Sequence, residues 1–345
     1  MALDSVLLIG GSGFLGLHLI QQFWEASPRP QIHVFDIRPL PEKISTYFTF
    51  DPKEIHQHVG DLTSAEDVKN AIRDSNATVI VHSASPMHGL GQEIYEKVNV
   101  RGTANLIDCA QELGVKYLVY TSSAGVIFNG QDVHNADESW PIPEVPMDGY
   151  NETKAIAEEM VLKANSENFH TVALRPAGIF GPGDRQLVPG LRQVLRNGQT
   201  KFQVGDNNNL FDWTYAGNVA DAHVLAAQRF SAGEIEGIAG EKFFITNDSP
   251  SYFWTLARTV WKADGHVDDW NIVLKRPFAI AIGYLSEFFS KLSGKEPGLT
   301  PFRVKIVCAY RYHNITKAKT VLGYKPNVGL EQGIRYTLDW MNEIE

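Results

Sequence analysis

Cysteine is scarce in this chain: Cys109 and Cys308 are the only two among 345 residues. Two thiols make no disulfide framework, which excludes a small stapled scaffold and suits a reducing compartment. Each is read as a small packing residue rather than a nucleophile. Basic charge is also short, with 31 Lys and Arg against 40 Asp and Glu and a net charge of −9. No basic face is expected for a phosphodiester backbone, so no nucleic-acid partner is expected. The chain has no uninterrupted apolar run of the ~20 residues that a spanning helix needs. Its first residues, MALDSVLLIGG, lack a basic segment and a small-residue cleavage site, so no secretory leader is expected. The sequons at Asn76, Asn151, Asn247 and Asn314 are then expected to stay unglycosylated. No ligand-spaced cluster of His, Cys, Asp and Glu stands out, and His82, His88 and His134 are scattered, so no metal is expected. Internal repeats and low-complexity tracts are missing as well.

What remains is an ordinary globular composition, 43% hydrophobic and 21% charged, long enough for one large or two intimate domains. Short β-branched runs at 5–10, 31–36, 55–60, 78–82, 117–122 and 171–176 read as strands. Amphipathic stretches near 14–25, 64–75, 92–113 and 150–165 lie between them. This alternation predicts an α/β fold, a Rossmann-type doubly wound parallel sheet. After the Gly/Pro-rich FGPGDRQLVPG at 180–190 the pattern loosens into mixed helices, such as 217–229, and short strands. The expected division is a nucleotide-binding domain over 1–180 and a smaller substrate-binding part over 181–345. The chain is expected to interleave the two.

GGSGFLG follows the first strand and opens the first helix, with Gly10, Gly13 and Gly16 at three-residue spacing. Lacking side chains, these glycines let the backbone approach a pyrophosphate, and a helix N-terminus supplies free N–H groups. Asp36 ends the second strand, 20 residues after Gly16. A carboxylate there accepts from ribose hydroxyls and repels a 2′-phosphate, which favours NAD. Arg38 could partly offset that repulsion, so NADP stays open. Asp61, in GDL after the third strand, is placed to meet an adenine amino group. Phe14, Leu15, Leu62, Ser83 and Pro176 complete the expected cofactor contacts, together with Tyr150 and Lys154.

YNETKAIAEE, at 150–159, puts Tyr150 and Lys154 on one helix face. Chance gives many helices such a pair. Beside a dinucleotide loop, and with Ser122 and Ser123 ending the fifth strand in YTSSAGVIF, it takes on another meaning. The set resembles the extended short-chain dehydrogenase/reductase family. The resemblance implies that Tyr150 is the catalytic base, that Lys154 lowers its pKa and holds the nicotinamide ribose, and that Ser123 binds the substrate oxygen. Ser122 is a neighbouring support. A free tyrosine near pKa 10 is a poor base at neutral pH, so a nearby cation is needed.

Sugar-nucleotide members of that family typically place a diphosphate-binding arginine before an Asp-aromatic pair. Here Phe211 precedes Asp212 and Trp213, which disfavours a diphosphate and suits a sterol. The stretches VHSASPMHG (81–89), YTSSAGVIFNGQDVHNADE (120–138), LRPAGIFGPGDRQLVPGLRQV (174–194), NLFDWTYAGNVADAHVLAAQ (209–228) and KEPGLTPFRVKIVCAYRYHN (295–314) look like the decarboxylating, sterol-acting branch of the family. That likeness implies NAD-dependent oxidation of the 3β-hydroxyl of a 4α-carboxysterol, with loss of CO2 from the resulting β-keto acid. Arg185 is a candidate for a cation near the carboxylate, or a surface residue, or a partner of a cofactor phosphate. Other readings of the same fold are a 3β-hydroxysteroid dehydrogenase/isomerase and a nucleotide-sugar epimerase or dehydratase. A non-catalytic NAD(P) sensor would be expected to lack the Tyr150–Lys154 pair.

In PFAIAIGYLSEFFSKLSG (277–294), Phe278, Ile282, Leu285, Phe289 and Leu292 share a helical face opposite Glu287 and Lys291. This predicts an interfacial membrane helix, or a helix packed on the core or over the pocket. The resemblance implies peripheral attachment at the cytosolic face of the endoplasmic reticulum. It also implies a C4-demethylation complex with a C4-methyl oxidase, a 3-keto reductase and a scaffold protein. A homodimer through the helices near 92–113 and 150–165 is expected too.

Overall fold

The computed structural model describes residues 3–293 and 298–344. In chain order the strands are β1 (Ser5–Ile9), β2 (Gln31–Asp36), β3 (His56–Val59), β4 (Val79–His82), β5 (Tyr117–Thr121), β6 (Val133–Ala136) and β7 (His170–Pro176). They continue with β8 (Ile179–Phe180), β9 (Phe202–Val204), β10 (Leu210–Phe211), β11 (Thr214–Tyr215), β12 (Glu241–Ile245), β13 (Ser251–Tyr252), β14 (Ile272–Leu274) and β15 (Arg311–His313). The helices are α1 (Phe14–Glu25), α2 (Ala65–Ser75), α3 (Gln92–Tyr95), α4 (Thr103–Glu112), α5 (Gly149–Lys163) and α6 (Leu187–Arg196). Then come α7 (Ala216–Ser231), α8 (Phe253–Ala263), α9 (Arg276–Ser293), α10 (Pro301–Cys308) and α11 (Leu330–Ile344).

Seven strands form one parallel sheet in the order β12-β7-β5-β4-β1-β2-β3. Every residue of SVLLI in β1 and of VIVH in β4 is buried. Such unbroken runs belong to strands covered on both faces. The pleat sends alternate side chains to opposite sides. Val6 and Leu8 meet Leu19 and Phe23 of α1 and Val219 and Phe230 of α7 on one face. Leu7 and Ile9 meet Val68 and Ile72 of α2, Leu106 of α4 and Val161 of α5 on the other. This is the doubly wound sheet expected from the strand–helix alternation. The order reverses between β1 and β4, where open sheets of this kind bind ligands beyond the strands' carboxyl ends.

The single long helix expected near 92–113 is one helical run of mixed pitch. Between α3 and α4, residues 96–102 form π-helical turns. Asn99 within them donates to Thr153 Oγ1 on α5 at 3.0 Å and accepts from Ser85 Oγ at 3.0 Å. The wide turns thus fasten the long run to α5 and to the loop after β4.

The two parts exchange segments. β12 leaves the second half to edge the main sheet, and β6 leaves the first half for a four-stranded sheet, β13-β10-β15-β6. Strands β8 and β11 pair, as do β9 and β14. Phe180, Phe211, Trp213, Val260, Trp261, Ile334 and Leu338 form the second part's core under α6, α8 and α11.

Candidate active site at the carboxyl edge of the sheet

The glycine turn closes tightly. Gly10 holds φ at +87°, and a Cβ there would lie 2.6 Å from the Ala84 backbone. A Cβ on Gly16 would lie 2.3 Å from Gly10 O. Any side chain at either position would push the turn apart. Gly13 N–H donates to Gly10 O at 3.1 Å, and Gly13 starts α1 with no side-chain cap. The first N–H groups of α1 are therefore free of intrahelical and capping partners, as an anion site requires. Phe14 is half-buried and Leu15 buried in this first turn. At the end of β2, Asp36 Oδ2 accepts from Ser12 N at 3.1 Å and Oδ1 from Arg38 N at 3.2 Å. Its carboxylate thereby stands beside the glycine turn, and Arg38 is exposed.

Asp61 Oδ1 accepts from Thr63 N (2.9 Å) and Thr63 Oγ1 (2.8 Å), and its Oδ2 pairs with Lys97 at 3.1 Å. The Thr63 N–H and hydroxyl, helped by Lys97, hold its carboxyl below the usual range. Leu62 is buried against the space beside Gly102, Ser83 Oγ donates to Ile9 O at 3.1 Å, and Pro176 is buried at the end of β7. Ser83 and Pro176 both lie at the edge where β1, β4 and β7 end. The tight turn without side chains at Gly10, Gly13 and Gly16, the open helix start and the carboxylate of Asp36 fit a dinucleotide.

Tyr150 occupies the first turn of α5, which Asp148 caps by accepting from Asn151 N at 2.8 Å. Its ring lies 3.8 Å from the His88 ring, centroid to centroid, and 5.7 Å from Tyr95. Burial pushes the phenol up to about 12, against a lowering contribution from the Ser85 hydroxyl. One turn on, Lys154 is buried, donates its Nζ to Thr121 O and stands 4.4 Å from the centre of the Tyr120 ring. Burial pulls its ammonium down to about 7, while Glu158 opposes that shift. The sequence expectation has Lys154 lowering Tyr150; in this structure Lys154 turns to the Thr121 carbonyl and desolvation dominates both groups.

A third turn brings Glu158, buried at 1% exposure. It takes Arg175 Nε at 2.8 Å, Arg175 Nη2 at 2.5 Å and Ser122 Oγ at 2.5 Å. A buried pair of this kind is strongly destabilised when one partner is removed. Ser123, by contrast, is half-buried and accepts from Gly125 N at 3.0 Å.

Cys109 is buried and Cys308 half-buried, and burial pushes both thiols up, away from the reactive thiolate. His82 is buried and drawn down to about 3 by burial, then by Lys154. His134 lies against Tyr310. Phe211 packs 4.3 Å from Trp213, and Asp212 accepts from His313 N and Nδ1 at 2.8 and 3.0 Å. Arg185 is exposed.

Sequence reasoning missed Ser85 as a neighbour of Tyr150 and left His88 unassigned. Both lie on the loop after β4, beside the switch point, and that position was the available signal. Glu158 was also readable, since it follows Tyr150 and Lys154 at the next helical turn.

Fold and site together define the class: a Rossmann-type, dinucleotide-binding dehydrogenase of the extended short-chain kind. Comparison with known proteins narrows it. The sequence model of the 3-beta hydroxysteroid dehydrogenase/isomerase family matches residues 7–276. The sterol-4-alpha-carboxylate 3-dehydrogenase, decarboxylating, of Saccharomyces cerevisiae is 72% identical over 344 residues, covering 99% of each chain. Its Candida albicans namesake is 69% identical over 345 residues, again covering 99% of each. The Homo sapiens protein of that description is 37% identical, covering 96% of this chain and 86% of its own. This chain belongs to the 3-beta hydroxysteroid dehydrogenase/isomerase family. Among solved structures, dTDP-glucose 4,6-dehydratase from Bacillus anthracis, in complex with NAD, superposes with a TM-score of 0.73 at 18% identity, covering 98% of this chain and 96% of that one. UDP-glucose 4-epimerase of Thermus thermophilus, in complex with NAD, gives 0.68 at 22% identity and 98% coverage of both. At such identities the likeness shows the fold alone.

Proposed function

We propose that this chain is an NAD-dependent sterol-4α-carboxylate 3-dehydrogenase that decarboxylates its product, acting in C4 demethylation on the route to ergosterol. The observation that carries this is the 72% identity to the fungal enzyme of that name, end to end. The glycine turn and the first turn of α1 hold the pyrophosphate, Asp36 the adenosine ribose, and Lys154 the nicotinamide ribose. NAD+, when bound, would accept the hydride from the sterol C3. Ser123 donates to the C3 oxygen, and Tyr150 takes the hydroxyl proton. Lys154, once held at the ribose, favours the Tyr150 phenolate. Oxidation leaves a β-keto acid. Its C4–carboxylate bond breaks with the electron pair moving onto the C3 oxygen, and CO2 departs. Tyr150 and Ser123 face that oxygen and stabilise the enolate charge, and a proton then returns to C4. A substrate panel tests the assignment: turnover of a 4α-carboxysterol, with none of UDP-glucose or of a 5-ene-3β-hydroxysteroid, is expected. Preference for either of the latter would replace this reading with the epimerase or the isomerase alternative.

The same reading places the protein on a membrane, because its substrate resides in one. No helix among the described residues is long and apolar enough to cross a bilayer. On α9 the small Ala279 and Gly283 face inward, and a Cβ on Gly283 would lie 2.8 Å from Pro301 N. Phe278, Ile282, Leu285, Phe289 and Leu292 are exposed, as are Tyr284 and Phe288. Glu287, on the opposite side, is half-buried. The Lys291 side chain and Gly294, also part of that expectation, and Lys295 to Pro297 lie outside the described residues. An outward apolar face this broad favours an occupant that is itself apolar. That occupant is the cytosolic face of the endoplasmic reticulum membrane, where a C4-methyl oxidase, a 3-keto reductase and a scaffold protein complete the assembly. Exposed Ile94 on α3 and Ile156 on α5 support a homodimer through those helices.

A further inference from the structure

A 4α-carboxysterol brings a carboxylate next to the reacting carbon, and the chain needs a cation to receive it. Arg185, the cation suggested by sequence, is exposed on the loop before α6. Arg311 is placed differently. It begins β15, between Phe211 of β10 and Val133 of β6. Its guanidinium lies 4.2 Å from the centre of the Phe128 ring and 5.2 Å from that of Phe211. Phe128 directly follows the 3-10 turn Ala124–Ile127 that Ser123 caps. The ring under Arg311 is therefore tied by a few residues of chain to the proposed substrate-binding serine.

The guanidinium makes no ion pair and no side-chain hydrogen bond with any described residue. Its acidic neighbours are already engaged. Asp148 Oδ1 caps α5, and Asp212 Oδ2 takes both donors of His313. Burial draws Arg311 down to about 10, with Asp148 and Asp212 opposing. Its charge also acts on His88, whose ring covers Tyr150. A half-buried cation between two aromatic faces gains from the rings. Asp148 and Asp212 offset part of its lost hydration at a distance, but no carboxylate among the described residues pairs with it directly. Planar guanidinium donors suit a carboxylate in a two-pronged contact.

We infer that the Arg311 guanidinium is the subsite for the C4 carboxylate of the sterol substrate, an assignment that rests on the proposed function. The contact binds the acid in its ground state. The charge it holds leaves for the C3 oxygen as CO2 forms, so removing the contact acts on KM more than on kcat.

The test compares wild type, Arg311→Gln, Arg311→Lys and Arg185→Gln, each checked for folding by thermal unfolding. Turnover of a 4α-carboxysterol with NAD+ is measured, and binding of the acid is compared with that of its methyl ester by competition. Expected is a KM for the acid raised about 10- to 100-fold in Arg311→Gln, the size of one lost charge-assisted contact. Partial recovery is expected in Arg311→Lys and no change in Arg185→Gln. Wild type is expected to bind acid over ester by a similar factor, a preference that Arg311→Gln loses. Unchanged acid binding in folded Arg311→Gln, or a loss in Arg185→Gln instead, would overturn the assignment. Should Arg311→Gln not fold, Arg311→Lys and the wild-type comparison decide, and equal binding of acid and ester overturns it. Wild type that turns over other 3β-hydroxysterols but not the acid would overturn the functional reading itself.

Discussion

Ser122 and Ser123 are neighbours at the end of β5, yet their hydroxyls serve separate networks. Ser122 donates to the buried Glu158 at 2.5 Å, while Ser123 stays half-buried and accepts from Gly125 N at 3.0 Å. One belongs to the packing behind α5, the other to the edge where substrate would sit.

Alanine substitution should therefore separate them. Ser123→Ala is expected to lower kcat by about 100-fold, as loss of one oxyanion donor does, while costing no more than the roughly 1 kcal/mol of one lost turn cap. Ser122→Ala should cost stability of about 1–2 kcal/mol in urea unfolding and affect kcat little, since Glu158 keeps Arg175. The reverse pattern would exchange their roles.

Lys154 makes stability depend on pH. Its folded pKa is about 7, against 10.5 for an ordinary lysine. Between those values the unfolded chain holds the proton and the folded chain does not, so stability rises with pH through this window. Below about 7 both states are charged and the burial cost is fully present. Urea unfolding of wild type and Lys154→Met at pH 7 and pH 9.5 should show wild type gaining on the order of 2–3 kcal/mol relative to the variant. Parallel pH dependences would contradict the depressed pKa.

Asp36 should set cofactor choice. Asp36→Ala removes the acceptor at the end of β2 and leaves Arg38 exposed two residues on. KM for NAD+ is expected to rise about 10- to 100-fold while NADP+ becomes relatively better. An unchanged preference in initial-rate measurements would place the ribose elsewhere.

The α9 face should bind lipid. Leu285→Asp with Phe289→Asp exchanges two exposed apolar side chains, each contributing about 2 kcal/mol when buried. Co-sedimentation with phosphatidylcholine vesicles should fall more than tenfold while turnover of detergent-dispersed substrate persists. Equal sedimentation would assign the face to another chain.

Much of the frame was legible because it obeys local rules. SVLLI followed by GGSGFLG announces a buried strand and a phosphate-type turn, since no side chain fits at Gly10 or Gly16. Helical spacing put Tyr150 and Lys154 on one face of α5, but their expected roles came from the neighbouring glycine turn, the serines after β5 and the family resemblance. Arg311 was not, because its position depends on β15 lying between β10 and β6, a pairing that no local pattern encodes. The periodicity of α9 showed an apolar face but not its direction. Gly283 allows close approach of Pro301, Ala279 is buried on the same side of the helix, and the aromatics are left facing outward. Nor does spacing reveal that Lys154 would be dry enough to lose much of its basicity.

The central claim is a coupled oxidation and decarboxylation started at Tyr150. Purified protein given a 4α-carboxysterol and NAD+ should form NADH and CO2 one for one, and Tyr150→Phe should slow both by about 100- to 10,000-fold while still binding NAD+. NADH without CO2, or undiminished turnover in Tyr150→Phe, would contradict it.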